Sequence, residues 1–178
     1  MKKLFIVAFL ILSIINIEAA ESDFHNFTLT SANGEKFESK DFKGKSILVV
    51  NIATRCGYTD QLDDLEALYK KYQSKDFVIL GIPSNDFGSQ TPEDDQKIAK
   101  FCRLKYGVTF PITSKVVVNG PNKIPFMKSI IKSAGGNEIE WNFEKFLFDK
   151  NGNFVKRFSS ATSPSNDSLR IAIEETLK

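Results

Sequence analysis

The chain has 178 residues, 42% hydrophobic and 26% charged, which fits one globular domain around a single packed core. Its 24 basic and 22 acidic side chains leave a net charge of +2 and are interspersed along the sequence, which argues against a nucleic-acid surface. Two widely separated cysteines and one histidine exclude a paired-cysteine zinc site, a C-x-x-C redox motif and a histidine metal cluster.

Residues 1–20 differ from the rest. Lys2 and Lys3 precede an apolar stretch from Leu4 to Ile17, and Ala19 and Ala20 follow. This pattern predicts a signal peptide over 1–20, a mature domain over 21–178, and export to a periplasm or to the outside of the cell. The stretch is shorter than the roughly 20 residues of a spanning helix, so a permanent anchor is the weaker reading.

Phe27–Leu29 and Glu35–Phe37 flank Asn33-Gly34, a dipeptide that favours tight turns, and predict an N-terminal hairpin. Ile47–Ile52 is nearly continuous in apolar, β-branched residues, as expected of a central strand covered on both faces. Over Asp60–Ser74, Leu62, Leu65, Leu68, Tyr69 and Tyr72 recur at helical spacing, with acidic residues early and Lys70 and Lys71 late, as suits a helix dipole. Phe77–Ile82, stopped by Pro83, predicts a second buried strand and completes a parallel strand–helix–strand unit. A second helix is predicted from Thr91 as cap and Pro92 at its first position to near Gly107, with Ile98, Phe101 and Cys102 on one face. Val116–Val118, Phe143–Phe148 and Phe154–Phe158 read as strands, the last two joined through Asn151-Gly152. Leu169, Ile173 and Leu177 mark a closing helix. Order and type predict a thioredoxin-like α/β fold, a central mixed β-sheet flanked by helices.

Cys56 falls between the first core strand and the following helix, where unpaired backbone N–H groups favour an anion and hence a thiolate. Arg55 would add to this if its side chain turns toward the sulfur. On residue types alone, Cys56 and Cys102 could equally form a structural disulfide in an exported protein. His25 lies next to the leader, which disfavours a Cys-His protease pair.

The segment Asn51-Ile52-Ala53-Thr54-Arg55-Cys56-Gly57-Tyr58-Thr59 resembles the signature of the glutathione peroxidase family around its cysteine or selenocysteine nucleophile. Two further segments resemble that family's second and third motifs, Ile82-Pro83-Ser84-Asn85-Asp86-Phe87-Gly88-Ser89-Gln90-Thr91-Pro92 and Trp141-Asn142-Phe143-Glu144-Lys145-Phe146-Leu147. The resemblance implies a peroxidase of hydrogen peroxide or organic hydroperoxides, with Cys56 as nucleophile and Gln90, Trp141 and Asn142 as its polar frame. An indole and two amides offer donors that do not titrate near neutral pH. Cys102 is similar in position to the resolving cysteine of the two-cysteine members, which implies a Cys56 sulfenic acid followed by a Cys56–Cys102 disulfide. The same resemblance implies no bound cofactor. It implies a thiol co-substrate instead, a thioredoxin-like protein or glutathione, with the former favoured by cysteine at 56 and by Cys102.

The second motif departs from the family pattern at Ser84, usually cysteine, at Asp86, usually glutamine, and at Thr91, usually glutamate. Ser84 leaves Cys102 as the only internal resolving thiol. Asp86 brings a negative charge near Gln90 that would disfavour the thiolate. The stretch between Val118 and Trp141 is short for the loop that builds the family's tetramers, so a monomer is expected. An oxidising compartment supplies little thioredoxin or glutathione, which keeps two alternatives in view. One is a peroxide-driven oxidase of partner thiols, and the other a non-catalytic protein with a permanent disulfide.

Overall fold

A computed structural model describes residues 26–178, so the expected leader over 1–20 and His25 lie outside the described residues. The Asn33-Gly34 turn closes an antiparallel hairpin between β1 (Thr28–Thr30) and β2 (Lys36–Glu38), with Gly34 at φ 87°. That left-handed backbone carries no penalty without a Cβ. β3 (Ser46–Ile52) and β4 (Phe77–Pro83) are buried along their whole lengths, as their unbroken apolar sequences require. They run parallel, in the register Val50 opposite Gly81, and are linked by α1 (Gln61–Tyr72).

α2 (Asp95–Tyr106) and α3 (Pro125–Ser133) follow, then β5 (Lys145–Phe148), β6 (Phe154–Phe158) and α4 (Asp167–Thr176). The main sheet has the order β4-β3-β5-β6, in which β5 is antiparallel to both β3 and β6. Alternation along β3 divides the core into two layers. Leu48, Val50 and Ile52 pack with α1, α2 and α4, whereas Ile47 and Val49 pack with α3 and the hairpin residues Phe27 and Leu29. Leu62 and Leu65 of α1 are fully buried, and truncating either to alanine should cost roughly 2–5 kcal/mol.

Prediction and structure differ in three places. The second helix starts later than Thr91: its cap is Asp94, whose carboxylate accepts the Lys97 N–H at 2.9 Å. Residues 91–94 lie outside the helix instead. The Thr91 N–H is taken by Asn85 Oδ1 at 2.8 Å, and Lys115 Nζ donates to the carbonyls of Thr91 and Glu93. Val116–Val118 is not a strand: Ile112 bridges Gly81 of β4 and Thr113 bridges Ser31, and then the Val116 N–H meets the Pro83 carbonyl at 3.0 Å without a ladder forming. α3 has no counterpart among the predicted elements. Pro125 opens it, and Phe126, Met127, Ile130 and Ile131 bury its inner face.

Candidate active site

β3 and β4 both deliver their carboxyl ends to the same edge of the sheet, and the chain after β3 turns there into α1. Thr59 builds that turn. Its hydroxyl accepts the Cys56 N–H at 2.9 Å and donates to the Ala53 carbonyl at 3.1 Å, while its own N–H bonds the Cys56 carbonyl at 3.0 Å. So held, Cys56 is half-buried and its sulfur accepts the Tyr58 N–H at 3.4 Å. Once the sulfur is ionised, a charge-assisted bond of this kind contributes about 1.5–3 kcal/mol. The donor is thus a loop amide ahead of α1, where the sequence pointed to the helix terminus.

Arg55 does not serve the sulfur. Its guanidinium is spent on Glu93, with Nη2 and Nε each 2.7 Å from Oε1, and Thr54 donates to the other carboxylate oxygen at 2.6 Å. Burial pushes the Glu93 carboxyl up, but the bonds from Thr54, the backbone and Arg55 together hold it below its ordinary value. Asp86 is similarly occupied: its carboxylate accepts the N–H groups of Val118 and Asn119 at 2.6 and 3.0 Å. The negative charge expected to trouble the site is therefore spent on a neighbouring loop.

Gln90 is brought beside Cys56 through the backbone, its carbonyl accepting the Arg55 N–H at 2.9 Å and the Thr54 hydroxyl at 3.2 Å. Gly88 and Ser89, at φ 61° and 55°, turn the chain sharply ahead of it. A Cβ on Gly88 would lie 3.5 Å from Gln90 Nε2 and 3.6 Å from Trp141 Cη2, so the glutamine amide and the indole edge flank one small opening. Trp141 tilts against Phe87 and stays 38% exposed, rather than filling the core. Asn142 is fully buried, and its Nδ2 donates to Gln90 Oε1 at 3.0 Å. Its Oδ1 has no partner among the described residues.

The predicted set therefore gathers at one sheet edge, except for Cys102. That thiol sits mid-helix in α2, 1% exposed, in the apolar layer against which Cys56 packs, and burial pushes it up to about 12. Both cysteines are free.

Sequence reasoning missed the residues that support this frame. Asn51 donates from Nδ2 to the Trp141 carbonyl at 3.1 Å and accepts the Glu144 N–H at 2.9 Å, and its own carbonyl accepts the Phe143 N–H at 2.7 Å. It is the one polar side chain in the Ile47–Ile52 run, and that was a readable signal. Thr59 and Glu144 carried no comparable mark.

The pattern that the family profile described as glutathione peroxidase matches covers residues 24–131, more than half of the chain. The chain belongs to the glutathione peroxidase family. The chain is 47% identical over 161 residues to the glutathione peroxidase-like peroxiredoxin HYR1 of Saccharomyces cerevisiae, spanning 88% of this chain and 98% of that protein. Among solved structures it is similar to Trgpx in its apo form, with a TM-score of 0.70 and 34% identity over 86% of this chain and 94% of that one. It also shares a fold with a thiol:disulfide interchange protein of the thioredoxin family from Chlorobium tepidum. There the TM-score is 0.66 at 21% identity, over 85% and 93% of the two chains. The thioredoxin-like fold expected from the element order is the fold that forms, and as a member of the family the protein is a peroxidase.

Proposed function

We propose that Cys56 is the peroxidatic nucleophile of a two-cysteine cycle. The thiolate attacks one oxygen of a hydroperoxide, a sulfur–oxygen bond forms as the O–O bond breaks, and the second oxygen leaves, takes a proton and departs as water or alcohol. Sulfur is oxidised by two electrons to a sulfenic acid. The observation that carries this reading is the Tyr58 N–H aimed at Cys56 Sγ at 3.4 Å, in a turn that the Gln90 carbonyl ties down through the Arg55 N–H at 2.9 Å.

Cys102 then attacks the sulfenic sulfur and expels water, leaving a Cys56–Cys102 disulfide. A dithiol donor returns both cysteines to thiols. The burial of Cys102 supports a resolving step that waits on local unwinding of α2, since a thiol pushed up to about 12 is almost wholly protonated at neutral pH. The proposed donor is a thioredoxin-like protein, with glutathione as the weaker candidate, and no bound cofactor enters the cycle. We place the mature protein, residues 21–178, as a monomer in a periplasm or outside the cell after removal of residues 1–20. The basic and apolar leader supports this location. Among the described residues no helix is long and apolar enough to cross a membrane.

Peroxide consumption by the purified protein, with a thioredoxin, glutathione or a reduced client protein as sole donor, tests the reading. Turnover with thioredoxin and little with the others is expected. Turnover only with client proteins would make it a thiol oxidase, and no turnover with any donor would remove the cycle.

A further inference from the structure

The turn that carries Trp141 and Asn142 is held from behind by one ion pair, between a buried carboxylate and a half-buried guanidinium. Glu144 is buried, and its side chain lies against the turn that precedes it in sequence. Its Oε1 accepts the N–H groups of Glu140 at 2.6 Å and Trp141 at 3.4 Å. Its Oε2 takes both Nε and Nη2 of Arg157 at 2.6 Å, a bidentate contact reaching across from β6. Arg157 has two further bonds to give. Nη1 donates to the Asn137 carbonyl and Nη2 to the Glu138 carbonyl, each at 2.7 Å, while the guanidinium carbon stands 5.1 Å from the centre of the Phe146 ring.

Together these contacts fix four of the five backbone positions from 137 to 141 through two side chains. The need for such a brace is visible just beyond. Phe143 is fully buried at φ 66°, a left-handed conformation that a side chain of this size rarely adopts, so the turn is not a shape the backbone would keep unaided. Asn51 holds the same turn from the β3 side. Neither Glu144 nor Arg157 has any contact with Cys56, so their action on the chemistry would pass through Trp141 and Asn142.

We propose that Glu144 and Arg157 are positioning residues for peroxide cleavage, a coupled brace that sets where the Trp141 indole and the Asn142 amide stand relative to Cys56. The inference rests on the peroxidatic reading of that site. The two act as a unit, because removing Arg157 leaves the buried Glu144 charge without a partner, and removing Glu144 frees the Glu140 and Trp141 N–H groups. Removal of either would therefore release the turn rather than merely weaken it.

Trp141 is the only tryptophan in the chain, so its indole N–H gives one cross-peak in a proton–nitrogen correlation spectrum. The experiment records that cross-peak and the stopped-flow rate of Cys56 oxidation by hydrogen peroxide. It uses the full-length protein and the variants Arg157→Lys, Glu144→Gln and Glu144→Ala. Tyr72→Phe, which removes a hydrogen bond to Glu174 far from this turn, controls for general loss of stability.

Arg157→Lys keeps the charge but loses the fork, and is expected to move the Trp141 resonance and slow oxidation about ten-fold or more. Glu144→Gln keeps an oxygen for the Glu140 and Trp141 N–H groups, so it should retain more of the rate than Glu144→Ala. Should Glu144→Ala fail to fold, Arg157→Lys and Glu144→Gln decide alone. Folded variants with the wild-type resonance overturn the proposal, and so does a shifted resonance with an unchanged rate. If wild-type Cys56 does not react with peroxide, the peroxidase reading is what fails, and the resonance alone still reports whether the pair holds the turn.

Discussion

Asn142 Nδ2 donates to Gln90 Oε1 at 3.0 Å, and this single bond gives the two amides opposite polarity. Gln90 is left with Nε2 as a donor beside the opening next to Gly88, and Asn142 with Oδ1 as a buried acceptor.

Asn142→Asp removes the donor and sets a carboxylate against the Gln90 carbonyl oxygen. We expect the second-order rate of Cys56 oxidation to fall roughly 10- to 100-fold, the usual scale for losing one preorganised donor. Gln90→Ala should fall in the same range. Stopped-flow measurement under excess peroxide checks both.

Cys56→Ser is expected to abolish peroxide turnover. Cys102→Ser should still consume one equivalent of peroxide and then stop, with a mass gain of one oxygen on Cys56. Full turnover by Cys102→Ser with a dithiol donor would show that the second cysteine is dispensable.

Cys102 at 1% exposure, pushed up to about 12, should resist alkylation in the reduced protein. At neutral pH, iodoacetamide should label Cys56 at least about ten-fold faster, because only thiolate reacts and Cys102 has almost none. On oxidation the segment Gln96–Tyr106 should lose amide protection in hydrogen exchange. Unchanged protection would leave no route from this helix to the sulfenic acid.

Lys145 offers a pH signature. It is fully buried, and Nζ bonds only neutral oxygens, those of Gln61 at 2.5 Å and of the Thr162 carbonyl at 2.6 Å among them. Burial outweighs the pull of Glu144 and lowers its pKa from 10.5 to about 8. The unfolded chain therefore binds the extra proton between these two values. Relative to Lys145→Met, stability of the wild type should accordingly rise as pH climbs from about 8 to 10.5, by up to about 3 kcal/mol. Urea titrations of both proteins across that range test the sign. A difference that is flat with pH would mean that Lys145 holds its proton throughout.

The two long strands and α1 were legible because their periodicity is decided locally. A seven-residue buried strand or a helix with leucines at three- and four-residue spacing has few alternative readings. The start of α2 was not, although Thr91-Pro92 is a good local signal. Asn85, from the preceding loop, and Lys115, distant in sequence, take the polar groups that a helix start would have used. Asp86 shows the same limit: its charge is visible in the sequence, but its partners, the N–H groups of Val118 and Asn119, are set by tertiary placement. The Cys56, Gln90, Trp141 and Asn142 set was legible through its motifs. The brace behind it was hidden, since Glu144 and Arg157 read as ordinary charges until β5 and β6 are paired.

The helix that holds Cys102 is moored at either end. Asp94 caps its first turn, and just past its last turn Glu66 takes the Thr109 N–H and hydroxyl at 2.7 and 2.6 Å. A stretch anchored in this way can melt in its middle and bulge like a slackened rope between two posts, without carrying its flanks along. In the proposed cycle, the excursion that would bring one sulfur to the other is then reversible, because the fixed posts return the slack to its starting coil when the crosslink is cut.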